Sequence, residues 1–504
     1  MTVRSELTKV TDQSMHRKRL VWIVGVTFSV RVAMIVWALS GLHVAPQVYL
    51  SKQYFQEGYA ISAGWGYSTN QNALATLTPA QQSVERGERN PGSDVARPAD
   101  FYGETLHPPG MSLLVATMHR IFGGDAKIAM MVLGALLDSG AAAILYLMVA
   151  AAWSEPVAFL AAMTYALFLP QAYAVTADLL PNGLESFFVI AGFACVLSGL
   201  RHAKSRSYPG SYKWFSLAGV VFGLGGYLRP DYDLIAIGLF PFLWIYGRNW
   251  RKAITASLVM LTVTSLTLLP WAYRNHVLYG HWTFTSSAVG STLVESLGEF
   301  NNPWGIGYND DWLVREAKRH GFKSAWTTEA DDYFNALFVR DVRQHPLAFV
   351  ATIEKRIPLA LAPPHLFGLD NPFKTKTFTE QRALGLDRYQ MFRRHPLYVL
   401  AAYWDALLFA AVSFTFLVCS LWMLWAERRR WQLVALLMAP HIYGIGTHLL
   451  SDIEPRYILP SMFSLMIGFA YCLRAVWVRA SVRFSSETSA SSIARPRAGL
   501  QRRA

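Results

Sequence analysis

The sequence predicts an all-α integral membrane protein, a bundle of about ten spanning helices with two large extracytoplasmic loops. Three observations lead to this fold class. Apolar stretches of spanning length recur from Val21 to Val476, and two long polar inserts, roughly 42–126 and 273–395, interrupt them. Hydrophobic residues form 53% of the 504-residue chain. Only 16% of its residues are charged, whereas soluble proteins carry ~25%.

Each predicted span follows from an apolar run close to the ~20 residues that a helix needs to cross a bilayer core. The predicted spans are 21–42, 128–151, 156–174, 183–200, 214–228, 232–247, 253–272, 397–425, 432–450 and 457–477. Two shorter apolar stretches, 107–122 and 346–364, carry charged residues and are predicted to be amphipathic helices at the membrane interface. Counting 107–122 as a span would place every later basic loop outside.

The orientation follows from Lys and Arg, which cluster between spans and in both tails. The basic segments are 1–20, 201–213, 248–252, 426–431 and 478–504. With ten spans all of them lie on one side, so the positive-inside rule predicts two cytoplasmic termini and two outer loops. The same rule accounts for the net charge of +13, so nucleic-acid binding is not predicted. The chain is thus divided into a tail 1–20, a membrane domain 21–477 and a disordered tail 478–504.

The first candidate for chemistry is a short outer turn, YAVTADLLPNGLE, between the third and fourth spans. Asp178 is the acid in an otherwise apolar connection, and Pro181 suits the first turn of the following helix. Asp178 is therefore either a cap of that helix or a carboxylate held at the membrane surface as a general base. Glu185, further into the next helix, is either its partner or a buried polar residue.

The second candidate is a set of arginines at predicted outer helix ends. Arg229 lies in GYLRPDYD, Arg274 in LPWAYRNH and Arg456 in DIEPRYILP. Outer arginines are unusual under the positive-inside rule, although single ones can pair with headgroups or neighbouring acids. Because arginine binds phosphate through a bidentate fork, three of them at separate turns indicate a site for a lipid phosphate.

The first polar insert contributes further acids. Glu57 lies in a helix-like run, and Glu104 precedes His107 by three residues in FYGETLHPPG. His107 adjoins two prolines and is interpreted as a structural hydrogen-bonding residue rather than a metal ligand. The linker acids, among them Glu85, are interpreted as solvated. No compact Asp/His cluster appears in the sequence, so no metal site is predicted, although a divalent cation stays open as a cofactor.

Four motifs together resemble the GT-C superfamily of membrane glycosyltransferases. They are YAISAGWGYS after the first span, HPPGMSLLVATMHRIFG before the second, the Asp178 turn, and the set RPD, PWAYRN and EPRYILP. Within the superfamily the chain resembles bacterial relatives of the protein O-mannosyltransferases and the aminoarabinose lipid A transferases, a glycosyltransferase family 39-like group. The resemblance extends from about residue 20 to residue 477.

This resemblance implies an enzyme of the cell inner membrane that uses a polyprenyl-phosphate sugar donor. It implies an acceptor on the extracytoplasmic face, which is an envelope glycan, a glycolipid or a protein, and inversion at the anomeric carbon. Arg229, Arg274 and Arg456 would bind the donor phosphate, and cations there would stabilise the leaving group. Tyr457 would position the lipid, and Asp178 would be a catalytic or acceptor-binding acid.

The chain departs from the family pattern at one position. The family carries an Asp early in the first outer loop, often four residues before a Tyr. If Tyr54 is that tyrosine, the position holds Leu50, which has no acid–base chemistry. Either Glu57 or Glu104 then substitutes, a different residue is the base, or activity has been lost.

Three alternative functions remain open at this point. A glycolipid transporter or flippase should show repeated halves, and the sequence shows no internal repeat, with Asp138 and Asp405 as its main intramembrane acids. An O-antigen polymerase or ligase would share the span number and outer arginines but lack the HPPG helix. An inactive GT-C-like accessory protein would account for Leu50.

Overall fold

The chain folds into a bundle of long helices with shorter helices at one end. The computed structural model describes residues 3–40, 49–69, 77–88, 95–98, 102–103, 107–205, 209–308, 310–361, 396–452 and 454–493. Within these ranges the β structure is confined to one antiparallel pair of two-residue strands, in which Ser68 lies opposite Gly103. The predicted all-α class is confirmed.

The elements follow one another with short connections. In chain order they are α1 Val3–Leu39, α2 Tyr49–Ser62, β1 Ser68–Thr69, α3 Pro79–Glu85, β2 Tyr102–Gly103, α4 Gly110–Phe122, α5 Ala126–Ala152, α6 Glu155–Leu167, α7 Leu169–Thr176, α8 Pro181–Ser205, α9 Pro209–Gly226, α10 Ile235–Gly247, α11 Trp250–Tyr279, α12 Val289–Leu297, α13 Asp310–Arg319, α14 Thr328–Gln344, α15 Pro346–Leu361, α16 Pro396–Ala426, α17 Trp431–Leu450, α18 Pro455–Ile458 and α19 Phe463–Ile493. Helices α2–α4 and α12–α15 come from the two polar inserts, and the others, apart from α18, form the bundle.

Every predicted span overlaps a helix, but fewer than ten helices are long and apolar enough to cross a membrane. Within the described residues seven qualify, and the bent pair α6–α7 makes up to eight. Helices α9 and α10 fall outside this group. Helix α10 has 13 residues, or about 20 Å at a rise of ~1.5 Å per residue. Helix α9 has 18 and opens with the polar run PGSYK. The side of the membrane on which each end lies stays a prediction.

Both ends of the chain are more helical than the sequence suggests. Helix α1 begins at Val3, inside the segment predicted as a tail, and α19 continues to Ile493, past the point where a disordered tail was expected. Neither extension contains glycine or proline, the two residues that most strongly disfavour helix interiors. The first proline after α19 is Pro496, in a segment beyond the described residues.

The bundle contains one broken helix, bent by 54° between α6 and α7. Pro170 lies just after the break and has no N–H, so the carbonyl of Ala166 loses its helical donor. The guanidinium of Arg31, fully buried in α1, donates to this carbonyl and to that of Tyr165. Arg31 also forms an ion pair of 2.6 Å with Asp138 of α5. A buried charge pair thus replaces the backbone hydrogen bonds that the break removes.

The carboxylate of Asp138 extends this network towards the N-terminal end of α8. It accepts hydrogen bonds from the Tyr165 hydroxyl at 2.5 Å and from the Gln171 amide at 2.8 Å. Gln171 in turn donates to the carbonyl of Gly183 and accepts from Ser186. Four helices, α1, α5, α7 and α8, are therefore joined directly beneath the turn that carries Asp178.

Candidate functional site

The turn after α7 holds Asp178 in a fixed backbone conformation. The N–H of Asp178 donates to Tyr173 O at 3.1 Å, and the N–H of Leu180 donates to Ala174 O at 3.2 Å. Between them Leu179 adopts a left-handed conformation with φ of 52°, which costs a branched residue roughly 1–2 kcal/mol. Its side chain is 2% exposed, so packing maintains the strained residue. Strain of this kind is common where a structure fixes a functional group.

The carboxylate of Asp178 is itself buried, with 5% of the residue exposed. Its Oδ2 atom has no hydrogen-bond partner among the described residues. Burial raises the pKa of Asp178 from 3.8 to about 7, and the positive charge of Arg456 offsets part of this effect. A carboxyl group that ionises near neutral pH, with a free oxygen, suits a general base better than a simple helix cap.

Glu57 occupies a comparable position on α2. It is 1% exposed, and its Oε2 atom accepts a hydrogen bond of 2.6 Å from Ser112 at the start of α4. Its Oε1 atom lies 3.6 Å from Nδ1 of His107 and has no hydrogen-bond partner in the described part of the chain. Gln53 contacts the same histidine nitrogen at 3.3 Å. The ring of His107 thus lies beside both Glu57 and Gln53.

Two glycines explain why α2 and α4 can bring these residues together. A Cβ atom on Gly58 would lie 2.6 Å from the side chain of Val115, so only glycine allows α2 to lie this close to α4. Gly110, the last residue of HPPG, donates its N–H to the carbonyl of Tyr227 at 2.6 Å, and a Cβ there would clash with the same oxygen. The HPPG motif is thus a docking point between the first outer loop and the RPD turn.

The arginines of two predicted motifs meet at one tyrosine ring. The guanidinium carbons of Arg229 and Arg456 lie 4.4 and 5.1 Å from the ring centroid of Tyr457. Arg229 pairs with Asp231 at 2.9 Å, and Arg456 pairs with Glu454. Since each arginine has five N–H donors, these contacts leave both cations able to bind an anionic ligand.

The acids and the arginines belong to one site. The hydroxyl of Tyr54 is buried, which raises its pKa, and it lies within electrostatic range of Arg229, Glu57, Arg456 and Tyr457. Because Asp178 is also within electrostatic range of Arg456, the loop acid and the turn acid are both linked to the arginine pair through their charges. The sequence placed no role on Tyr54 beyond its position four residues after Leu50.

Glu185 lies beneath this site. It is completely buried, both carboxyl oxygens lack a partner in the described chain, and Arg229 and Asp231 are within electrostatic range. Asn182, on the same helix, accepts a hydrogen bond of 3.2 Å from Arg229. Glu185 is therefore a buried residue below the arginines rather than a direct partner of Asp178.

Arg274 occupies a different environment from the other two arginines. Its guanidinium lies 4.4 Å from the ring of Trp271 and 5.6 Å from that of Tyr67, and it donates to Asn275 at 2.8 Å. Tyr67 donates its hydroxyl to the carbonyl of His107 at 2.9 Å. These contacts join Arg274 to the first polar insert next to HPPG, away from the ring of Tyr457 that the other two arginines contact.

Several acids of the site were present in the quoted motifs but received no role from the sequence. Asp231 pairs with Arg229, and Asp452 and Glu454 flank the second arginine turn. Burial raises the pKa of Asp452 to about 7, and the charge of Glu454 contributes. Their acidic residue type within RPD and DIEPR was the available signal. It could not distinguish partners of the arginines from acids of the reaction.

Two predictions concern residues or ligands outside this group. Glu104 lies outside the described residues. Among those that are described, no group of three His, Cys, Asp or Glu side chains is arranged to hold a metal ion.

Comparisons with known proteins agree with this architecture. Residues 106–273, about a third of the chain, match the family model described as dolichyl-phosphate-mannose-protein mannosyltransferase. This region contains HPPG, the Asp178 turn and Arg229. A search of curated proteins found no match.

Solved structures of an archaeal oligosaccharyltransferase, AglB from Archaeoglobus fulgidus, share the fold. The complex with an inhibitory peptide and a dolichol-phosphate has a TM-score of 0.52 at 13% identity, covering 97% of this chain and 53% of that one. The apo form has a TM-score of 0.52 at 14% identity, and the match covers 94% of this chain and 52% of that one. The complex with Zn and sulfate has a TM-score of 0.50 at 13% identity, and the match covers 95% of this chain and 51% of that one. This chain thus spans about half the length of AglB.

The chain is thus a bundle of long apolar helices whose polar inserts add shorter helices beside buried acids and paired arginines. The family match over a third of the chain and the fold shared with AglB support the resemblance to GT-C membrane glycosyltransferases that the motifs predict.

Proposed function

We propose that this protein transfers a sugar from a polyprenyl-phosphate donor to an acceptor on the extracytoplasmic face of the cell inner membrane. The observation that carries the proposal is the pair Arg229 and Arg456, both close to the ring of Tyr457, with the buried carboxyl of Asp178 within electrostatic range of Arg456. A transferase of this type needs a cationic position for the leaving phosphate and a base for the acceptor hydroxyl. The similarity to AglB, solved with a dolichol-phosphate, supports a lipid-phosphate donor.

In the proposed reaction Asp178 Oδ2 accepts the proton of the acceptor hydroxyl. The hydroxyl oxygen forms a bond to C1 of the sugar while the bond between C1 and the phosphate oxygen breaks. The electron pair leaves with the polyprenyl phosphate, and attack opposite the leaving group inverts the anomeric configuration. Arg229 and Arg456 stabilise the charge that grows on the phosphate, a contribution that rises towards the transition state.

The other candidates support this reaction. We assign Tyr457 to positioning the phosphate between the arginines. Arg274, with its aromatic neighbours, is assigned to binding the donor as it enters from the edge of the site. Glu57 takes the place of the acid absent at Leu50 and binds an acceptor or sugar hydroxyl through Oε1. The acceptor class is an envelope glycan, a glycolipid or a protein, and both termini are proposed to lie in the cytoplasm.

Replacing Glu57 by Gln should lower turnover by about 10- to 100-fold, which is the value of one hydrogen bond to a charged group. Gln keeps the size of the side chain, so the protein should elute and melt like wild type. The measurement is initial rate with the purified protein. Glu85→Gln is the matched control, since Glu85 is also a buried glutamate of the first loop, contrary to its predicted solvation. An unchanged rate in Glu57→Gln would transfer its role to Glu104.

The proposed function is tested by donor consumption. Purified protein in lipid nanodiscs is incubated with a panel of polyprenyl-phosphate sugars and a crude envelope extract, and products are identified by mass spectrometry. We expect loss of one donor, release of polyprenyl phosphate and a matching mass gain on one acceptor, none of which Asp178→Asn should produce. A folded wild-type protein that consumes no donor would contradict the proposal and favour a transport or accessory role.

A further inference from the structure

A cavity lies at the other end of the bundle from Asp178. Its volume is about 380 Å³. It is bounded by the junctions α5–α6 and α16–α17 and by one face of α19, through Trp153, Ser154, Glu427, Arg430, Tyr471, Arg474 and other residues of α19. The α6–α7 pair separates the two regions, because the cavity adjoins the start of α6 and Asp178 follows the end of α7.

The cavity has a positive charge that its own carboxylate does not balance. Three arginines, Arg430, Arg474 and Arg479, face one acid, Glu427. Glu427 accepts a hydrogen bond of 2.8 Å from the Tyr471 hydroxyl. Among the described residues none of the three arginines forms an ion pair with a carboxylate.

Aromatic rings hold two of these arginines in place. The guanidinium carbon of Arg430 lies 5.6 Å from the ring of Trp153, and that of Arg479 lies 5.9 Å from the ring of Trp422. Arg474 donates to the Ser154 hydroxyl at 3.3 Å. Stacked guanidinium groups keep their N–H edges available, which is the geometry that binds phosphate oxygens.

The surroundings of the cavity are apolar and face outward from the bundle. Trp425 and Trp477 are 71% and 74% exposed, and Val478, which lines the cavity, is 48% exposed. Exposed tryptophans on spanning helices are typical of the membrane interface. A ligand here would meet arginines with one part and an apolar surface with another.

We propose that this cavity binds the phosphate headgroup of an anionic phospholipid in the leaflet predicted to be cytoplasmic. Basic pockets between spanning helices on that side are suited to anionic lipid headgroups. The phosphate group is shared with free phosphate, but the exposed apolar rim favours a ligand that carries acyl chains. This site does not depend on the proposed transferase reaction.

Equilibrium binding of fluorescent phosphatidylglycerol to the detergent-solubilised full chain tests the proposal. Unlabelled phosphatidylglycerol should displace the probe, whereas phosphatidylcholine and millimolar inorganic phosphate should not. The double variant Arg430→Gln/Arg479→Gln should bind at least about tenfold more weakly, since each phosphate contact to a charged group is worth more than 1 kcal/mol. Arg251→Gln, which removes an exposed arginine that lies over Trp250 and does not line the cavity, should bind like wild type.

The outcomes separate the alternatives. Equal displacement by phosphatidylcholine would mean that the headgroup is not recognised, and displacement by inorganic phosphate would indicate a free-phosphate site; either overturns the proposal. Unchanged affinity in the double variant overturns it as well. The variant Arg430→Lys/Arg479→Lys keeps both charges, so partial recovery of affinity would support phosphate binding and exclude loss of folding as the cause.

Discussion

Asp178→Asn should lower turnover by about 10²- to 10⁴-fold, the range that general base catalysis contributes, while the protein stays folded. Asparagine fills the same volume but cannot take the acceptor proton. In the wild type the rate should rise with pH up to about 7, where Asp178 ionises, and then level off. Initial rates from pH 5 to pH 9 measure both effects. A flat profile through pH 7, or full activity in Asp178→Asn, would remove Asp178 as the base.

The contribution of Asp178 to stability should fall with rising pH, whereas the reaction rate should rise. Burial raises the pKa of Asp178 from 3.8 to about 7, so the unfolded chain releases this proton at a lower pH than the folded chain. The contribution of Asp178 to stability therefore falls as pH rises from about 4 to 7 and stays low above that. Asp178→Asn lacks this loss, so its melting temperature should exceed that of wild type at pH 8 and approach it at pH 4.

Arg229→Lys and Arg456→Lys should each lower kcat by about 10²-fold with a smaller effect on KM, the magnitude of one lost donor to a developing oxyanion. Lysine keeps the charge opposite Asp231 and Glu454 but has no planar fork. Arg356→Lys is the control. Arg356 is fully buried, whereas the side chains of Arg229 and Arg456 are 18% and 12% exposed. Like them it is paired with a carboxylate, Glu299 at 2.7 Å, yet it has no assigned role in the reaction. If Arg356→Lys also lowered kcat, the loss in the Arg229 and Arg456 variants would be due to disturbed packing.

Double variants test whether the arginines act on one phosphate. If Arg229 and Arg456 share the leaving group, the effect of Arg229→Lys/Arg456→Lys should be smaller than the product of the single effects. Arg274 lies with Trp271 and Tyr67 at the edge of the site. If it binds the donor at entry, Arg274→Lys should raise KM more than it lowers kcat and should combine multiplicatively with Arg229→Lys. Coupling between these two would place Arg274 at the same phosphate.

The membrane helices could be predicted because the signal is local. About 20 apolar residues in a row favour a spanning helix whatever surrounds them. The number of spans is less certain from sequence, since α10 is only 13 residues long. A short helix inside a bundle is covered by its neighbours, and the sequence does not reveal which neighbours those are.

The candidate site was predictable where a residue type was unusual for its position. Arg229, Arg456 and Asp178 are charged groups at apolar helix ends, and the structure brings them together. Contacts that depend on packing between distant segments cannot be recognised from an unusual residue type in the sequence. The hydrogen bond between Ser112 and Glu57 joins residues 55 positions apart, and nothing in either segment alone indicates it.

The ion pair between Arg31 and Asp138 has a consequence for the biogenesis of the protein. Arg31 lies within the first apolar helix, and its carboxylate partner follows 107 residues later in the chain. An arginine near the middle of a lone helix costs roughly 2.5–3.5 kcal/mol to insert into lipid. During synthesis the first helix therefore gains its full stability in the bilayer only after α5 has left the ribosome. Helices α1 and α5 and the break between α6 and α7 therefore fold as one unit.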